Sequence, residues 1–323
     1  MSEPQQQPAT AQTLSVDAEF AGQRIDNFLM ARVRGVPRSH LYRVLRRGEV
    51  RVNKGRVKPS YRLQAGDAVR IPPLRQTEGP APAQPPAAIA RGLAGAVLYE
   101  DDRLLVLDKP SGLAVHGGSG LGFGLIETLR LERPGMPLEL VHRLDRETSG
   151  CLILSKRRST LRDLHEALRD NAMDKRYLAL LAGALPRAEV LVDAPLLKNT
   201  LRSGERMVRV NTAEGKPART LFRRLRQFGG ATLVEVRLLT GRTHQIRVHA
   251  AHLGAPVAGD EKYGHDDANR RFRALGLKRL FLHAAALTFR ADYMAEPLRV
   301  EAPLPEALQA VIGALEGESC PGS

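Results

Sequence analysis

Between residues 72 and 86 the chain carries six prolines, together with Gly79 and several alanines. Proline fixes φ and removes an amide donor, so such a stretch runs extended and semi-rigid and cannot form a helix interior or an inner strand. It divides the 323-residue chain into a small N-terminal part and a large C-terminal part, each with its own core. Charge divides the chain in the same place. Residues 24–75 hold 14 Lys/Arg against 3 Asp/Glu, which accounts for +11 of the net +14. Basicity confined to one small domain reads as a footprint for nucleic acid, because neutralising phosphates releases counterions.

The small part reads as helix, helix and short strands. Ile25, Phe28 and Leu29 fall at i, i+3 and i+4, with Val33 extending the face. Gly35 and Pro37 punctuate the chain before a second helix, which is expected from an N-cap at Ser39 to Arg47 and ends at Gly48. On that helix Leu41, Val44 and Leu45 share one arc and Arg43, Arg46 and Arg47 the other. One face can dock on a core while the other offers guanidiniums to phosphates. Val50–Asn53 and Ala68–Ile71 alternate as strands do. This order, with Gln23-Arg24-Ile25-Asp26-Asn27-Phe28-Leu29 and Gly48-Glu49-Val50-Arg51-Val52-Asn53-Lys54, resembles the S4 RNA-binding domain. The resemblance implies RNA contacts from Arg38, Arg43, Arg46, Arg47, Arg51 and Lys54.

The large part holds more strands than helices and no steady βαβ repeat, so an α+β fold on a mixed, largely antiparallel sheet is expected. Strands are predicted at 96–99, 104–107, 174–181, 234–239, 280–287 and 298–302. Thr160 is read as the cap of a helix bearing Leu161, Leu164 and Leu168, and Thr243 as the cap of one ending at Gly254. A basic segment with Lys198, Arg202, Arg206, Arg209, Lys216 and Arg219 is expected to turn as a hairpin near Glu214-Gly215-Lys216-Pro217. The expected organisation is a disordered tail over 1–21, the S4 domain over 22–75, a linker over 76–95, the catalytic domain over 96–308 and a C-terminal tail over 309–323.

Chemistry concentrates in Val141-His142-Arg143-Leu144-Asp145-Arg146-Glu147-Thr148-Ser149-Gly150. Asp145 lies between two arginines, and opposite charges nearby favour an ionised carboxylate, which suits a nucleophile or base rather than a proton donor. Other chemistries find less support. His244, His249 and His252 are spaced i, i+5, i+8, with no His-Glu-x-x-His pattern and only two cysteines in the chain, so no metal is expected. The glycines of Val115-His116-Gly117-Gly118-Ser119-Gly120 lack the Lys-Ser/Thr ending of a phosphate loop, and no Gly-x-Ser-x-Gly elbow occurs. Glu147 is too close in sequence to Asp145 to serve as the second acid of a glycosidase pair. The absence of Trp argues against a stacking reader of single strands. With two cysteines, a polar start and no long apolar run, a cytoplasmic protein without membrane association is expected.

The same stretch, with Lys175-Arg176-Tyr177-Leu178-Ala179-Leu180 and Gly241-Arg242-Thr243-His244-Gln245-Ile246-Arg247-Val248-His249, resembles the signatures of the RluA-type pseudouridine synthases. The similarity runs from about residue 20 to 305. It implies an RNA pseudouridine synthase in which Asp145 acts at the ribose, Tyr177 stacks on the uracil and Arg247 pairs with the aspartate. It also implies that Arg143 enters the space left by the flipped nucleotide and that Arg242 contacts RNA. The accompanying S4 domain and basic hairpin, with Val115–Gly120 and Pro195–Asn199, imply 23S ribosomal RNA or large-subunit assembly intermediates as partner, a monomer, and no cofactor. Two other readings are an RNA-binding assembly factor without catalysis and a synthase acting on tRNA or another rRNA site.

Overall fold

The computed structural model describes residues 11–33, 36–74, 86–117, 123–200 and 206–319. Most of the proline-rich linker, part of the glycine cluster at 118–120, Arg202, and the side chains of Arg38 and Arg206 lie outside the described residues. The chain forms two compact units, Met1–Gln84 and Pro85–Ser323.

The first unit contains β1 (Gln12–Ser15), α1 (Ile25–Arg32), α2 (Arg38–Arg47), β2 (Arg51–Val52), β3 (Gly55–Arg56) and β4 (Ala68–Ile71). Its sheet has the order β1-β4-β2-β3. Ile25, Phe28 and Leu29 from α1 pack with Leu41, Val44 and Leu45 from α2 over Val50, Val52 and Val69. The second helix ends because Gly48 takes a left-handed φ of 73°, which lets the Glu49 amide reach back to Val44 O at 3.0 Å. The helix starts after Pro37, two residues earlier than a Ser39 cap would place it. The expected N-terminal tail is shorter than 21 residues. Gln12–Ser15 pairs antiparallel with β4, and Val16 is buried in the core, because β4 would otherwise present an open edge.

The second unit contains α3 (Ala87–Ala94), β5 (Val97–Glu100), β6 (Leu104–Lys109), α4 (Leu125–Glu132), β7 (Glu139–Leu140), β8 (Ser149–Ser155), α5 (Arg158–Arg169), β9 (Asp174–Ala182), β10 (Glu189–Asp193), β11 (Leu196–Thr200), β12 (Arg206–Val210), β13 (Arg219–Phe228), β14 (Ala231–Leu238), α6 (Gln245–His252), α7 (Asp266–Ala274), β15 (Leu282–Phe289), β16 (Leu298–Glu301) and α8 (Glu306–Ser319). The main sheet runs β10-β13-β14-β9-β15-β8-β6-β5, with β16 on β15 and β7 on β8. Only the β15–β8 pair is parallel among these, so the fold is α+β on a mixed, largely antiparallel sheet.

The inner strand β8 is buried along its whole length because it is apolar on both faces. Leu152 and Leu154 enter one core, and Cys151 and Ile153 enter another. Two boundaries differ from expectation for the same reason. Part of the expected linker is the helix α3, whose Leu93 is buried in the first of these cores. The expected C-terminal tail is mostly α8, which buries Leu308, Val311 and Leu315 at helical spacing.

The feature that makes room for a site is a split in the sheet. Strands β8 and β15 pair only at Ser149–His283 and Gly150–Ala284, after which β7 takes over that edge of β8. At the crossing Gly150 has a φ of 106°, and a Cβ there would stand 2.3 Å from Ala284 O. The close approach that starts the split therefore requires glycine.

Candidate active site

The segment after β7 occupies the wedge between the diverging strands. The Val141 amide donates to Ile153 O at 3.1 Å, and the Ile153 amide donates to His142 Nε2 at 3.1 Å. Burial holds the His142 pKa down at about 4, so its neutral ring serves as a strand-like acceptor. Leu144 anchors the next turn in the core, and the Thr148 amide closes it on Asp145 O at 3.2 Å. Beneath the loop the Lys109 ammonium, fully buried, donates to Pro110 O, Leu113 O and Arg146 O at 2.8, 2.8 and 3.0 Å. Burial pushes its pKa down to about 7, while three carbonyl acceptors favour the charged form. Ser111 Oγ adds a 2.7 Å bond to Glu147 O, and Glu147 itself points outward to Arg146. The aspartate thus stands on a turn fixed from both ends.

Across the wedge, α6 presents Arg247. Its guanidinium binds Asp260 through two bonds, Nε to Oδ2 at 2.7 Å and Nη2 to Oδ1 at 2.8 Å. The third nitrogen, Nη1, faces Asp145 Oδ2 at 3.5 Å. The Asp260 side chain is fully buried, and its Oδ1 also accepts the Lys262 and Tyr263 amides. Burial opposes the charge on both partners, but their mutual hydrogen bonds outweigh it: the Arg247 pKa is raised and the Asp260 carboxyl is held below its usual range. The Tyr263 ring lies 5.1 Å from the same guanidinium.

His244 completes the group. It caps α6 from a left-handed φ of 52°, in place of the expected Thr243 cap. Its Nδ1 is 2.8 Å from the Tyr263 hydroxyl, whose oxygen already accepts the Val208 amide at 3.1 Å. The opposite ring nitrogen, Nε2, is 3.9 Å from Asp145 Oδ2. Burial lowers the His244 pKa against the pull of Asp145. The ring thus faces the carboxylate with its charged form disfavoured by burial. Of the other two candidate metal ligands on this helix, His249 and His252, the first is committed to Thr220 Oγ1 and Ala194 O at 2.9 Å each.

These groups open on a cleft of about 1120 Å³. Tyr177 lines it from β9 with 7% exposure, and burial, reinforced by the charge of Asp145, raises its pKa. Among the described lining residues Asp145 is the one carboxylate, against Arg143, Arg146, Arg169, Lys175, Arg242, Arg247 and Lys262. Arg143 is exposed beside the aspartate, and Arg242 is tethered by Nε to Pro217 O at 3.1 Å. In the N-terminal unit Arg43, Arg46, Arg47, Arg51 and Lys54 are all exposed. The structure thus brings Asp145, Tyr177, Arg247, Arg143 and Arg242 to one cleft. Asp260, Tyr263 and the placement of His244 against Asp145 had no sequence signal, since the first two lie in a loop read for neither catalysis nor binding.

A family model described as RNA pseudouridylate synthase matches residues 103–252, and an S4 domain model matches residues 23–69. The ribosomal large subunit pseudouridine synthase C of Yersinia pestis is 53% identical over 307 residues, 94% of this chain and 95% of its own length. Its namesake in Escherichia coli (strain K12) is 54% identical over 300 residues, 92% and 94% of the two chains. The chain belongs to the RNA pseudouridylate synthase family. It is an RNA pseudouridine synthase carrying an S4 domain. Solved structures of human RNA pseudouridylate synthase domain containing 4 and 1 resemble this synthase with TM-scores of 0.59 and 0.56 at 26% and 27% identity, covering 71% and 67% of this chain and 96% and 86% of theirs.

Proposed function

We propose that this synthase isomerises specific uridines of 23S ribosomal RNA, acting on the RNA or on large-subunit assembly intermediates. The observation that carries the proposal is the cleft itself, a single carboxylate surrounded by cations and bordered by a buried tyrosine. Relatives covering more than nine-tenths of the chain are named for large-subunit modification, and this supports the choice of RNA.

The reaction breaks the N1–C1′ bond, turns the uracil and joins its C5 to C1′; C5 loses a proton and N1 gains one. The base must first leave the helical stack, at a cost of a few kcal/mol. Arg143, exposed at the cleft, is suited to fill the gap, and the Tyr177 ring to receive the uracil. The Asp145 carboxylate meets the ribose, either by adding to C1′ or by removing the C2′ proton. Arg247 and His244 fix its orientation, so the carboxylate needs no rearrangement when charge develops at the sugar. Every atom is conserved within the RNA, and no electron acceptor is called for. On the N-terminal unit the exposed arginines of α2 supply sequence-independent phosphate contacts.

Mapping pseudouridine in rRNA from a strain lacking the gene tests the function. Loss of specific 23S sites, restored by the wild-type protein but not by Asp145→Ala, is the expected result. An unchanged map would favour a binding protein without catalysis, and losses confined to tRNA would move the substrate.

A further inference from the structure

One cation in the cleft is built differently from the rest. Lys175 lies in β9 two residues before Tyr177, so both side chains project from the same face of the strand. Both are 7% exposed and both line the cleft. Tyr177 lies near Asp145, whose charge helps to raise its pKa, and Lys175 lies near His142, whose pKa its charge helps to lower. Around it the polar groups are already engaged. His142 Nε2 accepts the Ile153 amide, and the His165 ring bonds Val141 O at 3.1 Å. The adjacent carboxylate of Asp174 is held by Arg176 at 2.8 Å and Arg237 at 2.7 Å. Among the described residues Lys175 makes no hydrogen bond or ion pair, and its nitrogen is not one of the fully buried atoms left without a partner, so it opens on the cleft that it lines.

An ammonium largely withdrawn from water and held by no protein acceptor is costly, and burial accordingly depresses the Lys175 pKa. Folding gains nothing from placing a lysine there. A leucine or methionine would fill a similar volume without the desolvation penalty. The cost is offset when an anion enters the cleft, because a charge-assisted bond in a dry site is stronger than one at the surface. Arg169, which also lines the cleft, adds positive charge for such an anion.

We propose that Lys175 binds a backbone phosphate of the RNA next to the reacting uridine, outside the nucleotide that undergoes chemistry. The inference rests on the reading of this cleft as an RNA site. It assigns Lys175 a positioning role: the ammonium fixes the strand on one side of the flipped nucleotide so that the ribose arrives over Asp145. The exposed arginines add affinity along the RNA, whereas a buried ammonium fixes one phosphate in register.

The test uses the full-length enzyme and an rRNA fragment that the wild type converts. Lys175→Met is compared with Lys175→Arg. In Lys175→Met the slope of log affinity against log salt falls by about 0.9, the contribution of one phosphate contact. The RNA concentration for half-maximal rate rises, while the single-turnover rate at saturating RNA stays within a few-fold of wild type. Lys175→Arg restores both. Neutral methylphosphonate linkages are then placed one at a time on either side of the target uridine. One of them weakens the wild type and has no further effect on Lys175→Met. An unchanged salt slope, or additive losses at every flanking linkage, would overturn the proposal. So would a loss confined to the saturating rate, which would place Lys175 at the base instead. Should Lys175→Met fail to fold, Lys175→Gln carries the same comparison. If the wild type formed no pseudouridine in any rRNA fragment, the substrate reading would fall on its own, before either variant was measured.

Discussion

On α2, Arg43, Arg46 and Arg47 stand in water, and the nearest carboxylate contact is the 3.9 Å between Arg47 and Glu49. In the cleft, the Arg247 side chain is 11% exposed and has Asp260 on one side and Asp145 on the other. The first arrangement leaves long side chains free to follow a phosphate backbone, and salt screens what they gain. The second fixes a guanidinium before any substrate arrives, in surroundings where charge interactions are strong. Arginine serves adaptable attraction in one unit and fixed geometry in the other, and the difference lies in whether a buried carboxylate holds it.

Variants of the two regions should separate these roles. The largest effect is expected from Asp145→Asn, which keeps the shape of the side chain and removes its charge. Pseudouridine formation should fall by at least ~10³-fold, the scale of losing a group on which a catalytic unit depends. RNA affinity should change little; turnover near wild type would end the assignment. Asp260→Asn breaks the comparison from the other side, by freeing Arg247. We expect a rate loss of about 10²-fold from misplaced geometry. A loss of about 3–5 kcal/mol in stability should accompany it, because a buried ion pair is broken. Chemical denaturation and single-turnover rates report the two. Replacing Arg43, Arg46 and Arg47 together by Gln should leave the saturating rate unchanged and reduce the salt slope by about 2–3. A drop in the saturating rate with an intact slope would show that α2 acts in catalysis instead.

The smallest effect concerns pH. The folded pKa of His142 is lowered to about 4 from the ordinary 6.5. A group depressed in this way contributes stability that is present above the unfolded value and lost as pH falls towards the folded one. Between about pH 6.5 and 4 the unfolded chain takes up a proton that the folded chain refuses. Stability should therefore decline by at most about 1.4 kcal/mol per pH unit from this residue. His142→Gln, measured by denaturation across that range, should flatten the decline. An unaltered profile would place the acid sensitivity elsewhere, with His249 and His283, whose pKa values burial also lowers, as the next groups to examine.

Elements with strong periodicity were legible before the structure. The helices bearing Ile25, Phe28 and Leu29, and Leu41, Val44 and Leu45, are present. So are the strands β6, β9 and β14. The caps were less legible. Thr160 lies inside α5, buried, with its hydroxyl unpartnered, so its position rather than its residue type decided its role. Thr243 yields the cap to His244, whose ring is drawn to Tyr263 in a different part of the chain. The hairpin in the basic segment is β11–β12, centred before the expected turn, although Leu196 and Lys216 do pair beside that turn. Ala-rich α3 falls within the expected linker because it follows directly on the prolines, and the burial of Leu93 makes it part of the core.

The sequence by itself determined the division at the prolines, the concentration of charge in one unit, and the motifs that mark a pseudouridine synthase. These are local properties, written in composition and in runs of a few residues. The tertiary structure alone decided which charges meet. Asp145 and Arg247 are 102 positions apart, and they approach because β8 and β15 diverge after two paired residues. The same divergence sets Tyr177 and Lys175 along one cleft, while Asp260 is buried behind the guanidinium that it holds. Ion pairs of this kind depend on distance and burial, neither of which a stretch of sequence contains.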